Sequence, residues 1–227
     1  MTTVQAGLTY YKQVNEQIRA AQDSEITVEN VIGQRYIGCG STDRKITVHG
    51  TAGNGLGQYL NGSTIEVFGN AQEAVGDTMN AGKIVVHGNV GGDCGYRAGI
   101  HMKAYQQHFP VMVVGGKAGS FLGEYLAGGL ILVLGIGQNG AYPVNNFCGT
   151  GMHGGKIVLR CDKAPTDLPR QVLVSEVSAD DMTEFAPYIK EYAQLFGADA
   201  ENLLSQKYFV LTPNPEAGYK QLYTFEA

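Results

Sequence analysis

Metal, cluster or nucleophilic chemistry in this chain of 227 residues would fall first to its four cysteines and five histidines. Cys39, Cys94, Cys148 and Cys161 form no C-x-x-C pair and no ferredoxin-like spacing, so neither a zinc site nor an iron-sulfur cluster is expected from them. Cys94 and Cys148 stand where equivalent segments carry Leu or Val, which reads as small buried hydrophobes. His49 and His87 hold the same repeat position with Phe68 between them, roughly 9.6 Å apart, too far to share an ion bound at about 2 Å. His153 lies in a glycine-rich run, Cys148 to Gly155, and reads as a corner residue rather than a base. No acidic grouping resembles a calcium-dependent lyase site, and no Ser/His/Asp set follows from spacing. No catalytic, cofactor-binding or metal-ligating residue is assigned.

One phrase imitates a nucleotide site. Gly135-Ile136-Gly137-Gln138-Asn139-Gly140 matches G-x-G-x-x-G, but a pyrophosphate site needs a helix to start there, and Ala141-Tyr142-Pro143-Val144-Asn145-Asn146 predicts none.

The elements that must carry any function are set by a repeat. An apolar-x-apolar-x-Gly phrase recurs from Ile46, Ile65, Ile84, Val111 and Ile131, with degenerate copies at Ile26 and Ile157. Steps of 20, 19, 19 and 20 residues separate most copies, while 84 to 111 and 131 to 157 carry insertions. A period near 20 marks a solenoid, and it is shorter than the roughly 30 residues of a βαβ unit. Each repeat has a second mark, an apolar residue or Cys before glycine: Ile37, Leu56, Val75, Cys94, Leu122 and Cys148. Leu60, Met79, Leu126 and Met152 supply a third.

The expected fold is therefore all-β: a single-stranded right-handed parallel β-helix of about seven coils, near 34 Å long, with short α-helical caps. Residues 1–25 are expected to form an N-terminal capping helix started by Thr9, with Tyr11, Val14, Ile18 and Ala21 on one face. Residues 26–162 form the rod. Residues 163–227 form a C-terminal helical extension and tail: Ser178 with Asp181 makes a capping box, Pro187 suits the first turn of a further helix, and Gly197 ends it. A short strand is expected from Gln206 on.

Alternation within the phrase places Thr27/Glu29, Thr47/His49, Glu66/Phe68, Val85/His87, Met112/Val114, Leu132/Leu134 and Val158/Arg160 outward. The early coils look wet and the later ones apolar, so either the helices over 178–196 or a partner chain must cover that patch. A charge placed inward, at Val67 or Val86, is expected to break the rod.

Composition narrows the partners. A net charge of -5 and pI near 5.5 argue against nucleic acid or an anionic membrane. No apolar stretch is long enough to span a bilayer and Met1 to Gln5 opens no signal peptide, so the expected compartment is the cytoplasm.

The glycine phrases, with Asn70-Ala71-Gln72, Gly99-Ile100-His101-Met102-Lys103 and Cys148 to Gly155, resemble the GXGXG domain at the C-terminus of the glutamate synthase large subunit. The likeness runs from about residue 26 to 161 and into the helix Pro187 to Tyr192. It implies a non-catalytic structural subunit of a multi-subunit glutamate synthase-like complex. Its partners would be a glutamine amidotransferase and an FMN-dependent synthase, with FMN and the iron-sulfur cluster held by those partners and none in this chain. Met1-Thr2 offers no N-terminal cysteine nucleophile, and the chain has no room for a flavin barrel. The complex would be of the glutamate or the N-methylglutamate type. One of the subunits of formylmethanofuran dehydrogenase has a similar solenoid and is the first alternative; an independent β-helix carbohydrate-active enzyme is the second. The two insertions are the expected subunit interface, through Arg97, His101, Lys103, Tyr105, Gln138 and Tyr142.

Overall fold

A computed structural model describes residues 1–100 and 109–216. Its strands are β1 (Thr2–Gln5), β2 (Glu25–Ile32), β3 (Lys45–Thr51), β4 (Asn61–Phe68), β5 (Ala81–Val86), β6 (Pro110–Val114), β7 (Ala127–Val133), β8 (Gly154–Arg160), β9 (Val172–Glu176) and β10 (Tyr208–Pro213). The helices are α1 (Tyr11–Ala20), α2 (Ala179–Phe196) and α3 (Ala200–Ser205).

Because the phrase repeats at nearly constant length, each strand returns beside its predecessor. β1 to β8 run parallel and in order within one ten-stranded sheet, which ends β8-β10-β9 with antiparallel pairing. The result is a parallel β-solenoid, with seven strands from β2 to β8 stacked over about six full turns, close to the seven coils counted from the phrases. The other sides of each turn are built from glycine corners and isolated bridges such as Ala52↔Ala71 and Ala71↔Val90.

Inward positions stack in register: Ile46↔Ile65↔Ile84↔Met112↔Ile131↔Ile157, and Val48↔Val67↔Val86↔Val114↔Val133↔Leu159. All are fully buried, together with the corner residues Ile37, Leu56, Val75, Cys94, Leu122 and Cys148. The frame expected for β6 is corrected by one residue. Met112 and Val114 face the interior, and Val111 and Val113 face outward. Four consecutive apolar residues fit either frame, and a slip of one reverses every side chain. The outer face decides: Gly115 falls in the outward column after His87, where a Cβ would lie 1.9 Å from Tyr192 Oη. With Met112 as the anchor, the step to Ile131 returns to 19 residues.

The outer face of β5 to β8 is covered by this chain's own helix. Phe185, Ile189 and Tyr192 of α2 are buried against Val85, Val113, Leu132, Leu134 and Val158, with Tyr208 and Val210 of β10 beside them. Each such side chain contributes on the order of 1.5–3 kcal/mol before entropy is subtracted. Tyr192 Oη donates to the His87 carbonyl at 2.7 Å, and ion pairs Lys83–Glu191 and Lys156–Glu184 flank the helix. Ser178 and Asp181 form the expected capping box, and Gly197 ends α2 at φ 71°. Pro187 starts no new helix; it lies inside α2, which continues without that one backbone bond.

The chain's start is also corrected. Residues 2–5 form β1, which pairs with β2, so the sheet begins before the helix. Thr9 does not cap α1: its N–H is held in a turn by Ala6 O, and Tyr10 takes the N-cap position without a side-chain bond. Val14, Ile18 and Ala21 do pack on the interior, and Arg44 binds the carbonyls of Ile18 and Ala21 at 2.6 and 3.1 Å. At the far end, β9 was not expected from the sequence. Its Val172 lies 3.0 Å from a Cβ built on Gly149, where earlier coils place an isoleucine methyl.

That contact recurs up the rod. A Cβ on Gly38, Gly57, Gly95 or Gly123 would come 2.4–2.6 Å from Cδ1 of Ile65, Ile84, Ile131 or Ile157 respectively. These glycines are needed for space as well as for their positive φ. Gly57→Ala is expected to cost about 1–3 kcal/mol in denaturant unfolding, and adding Ile84→Val, which removes that Cδ1, should restore part of the loss.

Candidate partner-binding face

Each corner holds three left-handed residues, at the central glycine and two positions to either side. In successive coils the first is Tyr36, Gly55, Ala74, Asp93, Phe121 and Phe147, and the third is Gly40, Tyr59, Thr78, Arg97, Tyr125 and Gly151. The alternation serves the stacking. The outer two N–H groups donate to the next coil, as Tyr59 does to Asp77 O at 2.9 Å and Arg97 to Glu124 O at 3.0 Å. The central one donates backward, as Gly57 does to Ile37 O at 2.9 Å. Only the centre faces the core. The outer positions face outward, and a side chain there costs about 1–2 kcal/mol in the left-handed conformation. Where an aromatic of a neighbouring coil lies over the position, glycine is also needed for space, a Cβ on Gly55 or Gly151 lying 2.6 Å from the ring of Tyr36 or Tyr125.

Large side chains nevertheless occupy them, and they point outward. Tyr36, Tyr59 and Phe147 are 39%, 49% and 57% exposed. Phe121 stacks on Phe147 with ring centroids 4.9 Å apart, and Tyr96 meets Tyr125 edge-on at 6.0 Å. Carboxylates lie among them. Gln58 binds Asp77 at 2.6 Å and Asn54 binds Glu73 at 3.3 Å, but these carboxylates have no cation partner among the described residues. Partial burial pushes the Asp93 carboxyl up, with Glu73 and Asp77 repelling it further, and Glu124 rises through burial and Asp93. A face of rings and of carboxylates that form no ion pair among the described residues suits a protein surface bearing arginine or lysine.

The six expected interface residues divide. His101, Lys103 and Tyr105 lie outside the described residues. Arg97 is exposed on the corner face at φ 52°. Gln138 is half-buried in a turn, its N–H bound to Gly135 O at 3.1 Å. Tyr142 packs on the interior core with its hydroxyl buried, facing the Cys148 thiol and without a nitrogen or oxygen partner. The corner aromatics were not singled out from sequence, although their fixed offset of two from each corner glycine could have found them.

The groups considered for chemistry are placed as packing. Burial pushes the Cys94 and Cys148 thiols to about 12 and Cys161 to about 11, while Cys39 is exposed on the first corner. The three buried thiols fill separate coils and do not converge on a cluster site. His49 stacks on Phe68 at 4.9 Å and His87 on Phe196 at 4.7 Å, with the two phenylalanines edge-on. The G-x-G-x-x-G phrase runs through turns to the bridge at Val144, with no helix at its end. Among the described residues no group of three or more His, Cys, Asp or Glu is placed to hold a metal ion, and no helix is long and apolar enough to cross a membrane.

Two outcomes follow from this packing. Thiol alkylation of the native protein at pH 8 should modify Cys39 alone, the others reacting only after denaturation. Tyr142→Phe removes a buried hydroxyl that meets only the weakly bonding Cys148 thiol and should leave stability unchanged or raise it by up to about 1 kcal/mol, read from the melting temperature.

The GXGXG motif family matches residues 6–91 and 89–213. A protein of Methanocaldococcus jannaschii, described as uncharacterized protein MJ1350, is 38% identical over 243 aligned positions, covering 95% of this chain and 93% of that protein. With the glycine corners observed in every coil and the match spanning nearly the whole sequence, the chain belongs to the GXGXG motif family.

Proposed function

We propose that this chain is the assembly subunit of a glutamate synthase-like complex. It binds a glutamine amidotransferase subunit and an FMN-dependent synthase subunit that carries the iron-sulfur centre, and helps hold the geometry of ammonia transfer between them in the cytoplasm. The amine handled, of the glutamate or N-methylglutamate type, is set by the catalytic partners. The observation that carries the reading is the row of exposed Tyr36, Tyr59, Arg97 and Phe147 held at left-handed positions where glycine would be relaxed. Side chains kept in a costly conformation and in water point to a role in contact rather than in folding. A stacked rod supports this role because each coil is bonded on both sides and resists displacement.

Tyr59→Gly and Arg97→Gly separate the two roles. Each removes a surface side chain and relieves the backbone, so stability should stay within about 1 kcal/mol of the parent. Capture of co-expressed amidotransferase and synthase subunits on the tagged chain should fall at least severalfold. Failure of the unmodified chain to retain either subunit would overturn the reading.

A further inference from the structure

A groove of about 560 Å³ lies between the second insertion and the segment that follows β8. Ala141 and Tyr142 line it from the insertion, and Asp162, Ala164, Pro165 and Asp167 from the segment. Tyr142 and the neighbouring Leu168 pack on the interior core, so the groove opens beside the last coil. Its Ala141 and Ala164 are exposed, and so are Asp162 and Asp167, which form no ion pair among the described residues. Lys163 lines the groove as well and pairs with neither carboxylate.

The described part of the chain ends close by. Asn214 donates from its backbone to Gln171 O at 2.7 Å and from its side chain to Arg170 O at 3.4 Å. Arg170 follows Asp167 by three positions, which places the two Cα atoms no more than about 11 Å apart. Past Glu216, residues 217–227 carry Tyr219, Leu222, Tyr223 and Phe225 with one cation, Lys220. That length of chain can reach roughly 36 Å.

We propose that residues 217–227 fill this groove on their own chain, with their rings against Tyr142, Ala164 and Pro165 and Lys220 beside Asp167. Tethering selects this occupant, because a segment leaving within reach of the groove is present there at an effective concentration on the order of millimolar. Chemistry selects it too. The tail's aromatic side chains match apolar walls, its lysine answers unpaired carboxylates, and Glu226 is left for Lys163. The other apolar seat near the exit, at Leu173 and Val174 of β9, offers no such partner: the Glu176 carboxylate there is already paired with Lys207 at 3.2 Å. This inference does not depend on the glutamate synthase reading.

The sequence contains no tryptophan, so Tyr223→Trp puts a single reporter in the tail of the full chain. Its emission should be blue-shifted, and acrylamide should quench it severalfold less than in the denatured protein. Ala164→Glu, a change at an exposed side chain, should bring quenching most of the way to the denatured level. Asp167→Lys should do the same, and adding Lys220→Glu should restore protection, which keeps the test decisive should Ala164→Glu disturb its own segment. A reporter fully open to quencher in the parent, or protection that survives both Ala164→Glu and Asp167→Lys, would overturn the proposal. So would protection lost to Val174→Glu instead, which would assign the tail to the β9 edge, or protection that falls on dilution, which would assign it to the groove of a second copy.

Discussion

Everything in this molecule depends on how closely one coil lies on the next. At strand spacing, roughly 4.8 Å, a corner that turns inward leaves no space for a Cβ at its centre, because the isoleucine methyl of a following coil is already there. The same closeness lets each corner alternate its N–H groups forward and backward, so the turns are bonded as fully as the strands. Backbone polar groups that a loop would normally leave to water are satisfied within the stack.

From that constraint comes a division of labour between two surfaces. The interior is a column of aliphatic side chains, closed at one end by α1 and at the other by β9 and β10. The outer face of the later strands is a second apolar layer, and α2 lies across it. The early strands keep Thr27, Thr47 and His49 on that side and need no cover. Where α2 ends, at Phe196 and Gly197, the histidines of the strand column stack with phenylalanine instead of gathering a ligand.

The corner face is where the scaffold has freedom. A side chain there lies outside the core, although the rings pack on one another and Tyr36 meets Tyr11 of α1 edge-on at 5.8 Å. Rings and carboxylates in a left-handed backbone are what a binding surface would retain, and their rigid mounting lowers the entropy lost on contact.

The spacing of glycines and aliphatics was enough by itself to establish a solenoid, its interior residues and the capping box of α2, because each of these depends on contacts that repeat locally or at one fixed step. Three features were decided only in three dimensions. The β6 frame followed from Tyr192, some eighty residues away, occupying the space above Gly115. Tyr142 packs against the core because its loop lies beside residues 162–167, which follow β8. β9 arose from pairing with a strand later in the chain, and beyond Val172 its residues are all exposed, so no alternation marks it as a strand. Local rules read a repeat well; they are silent where one distant side chain settles which of two equal frames is bonded.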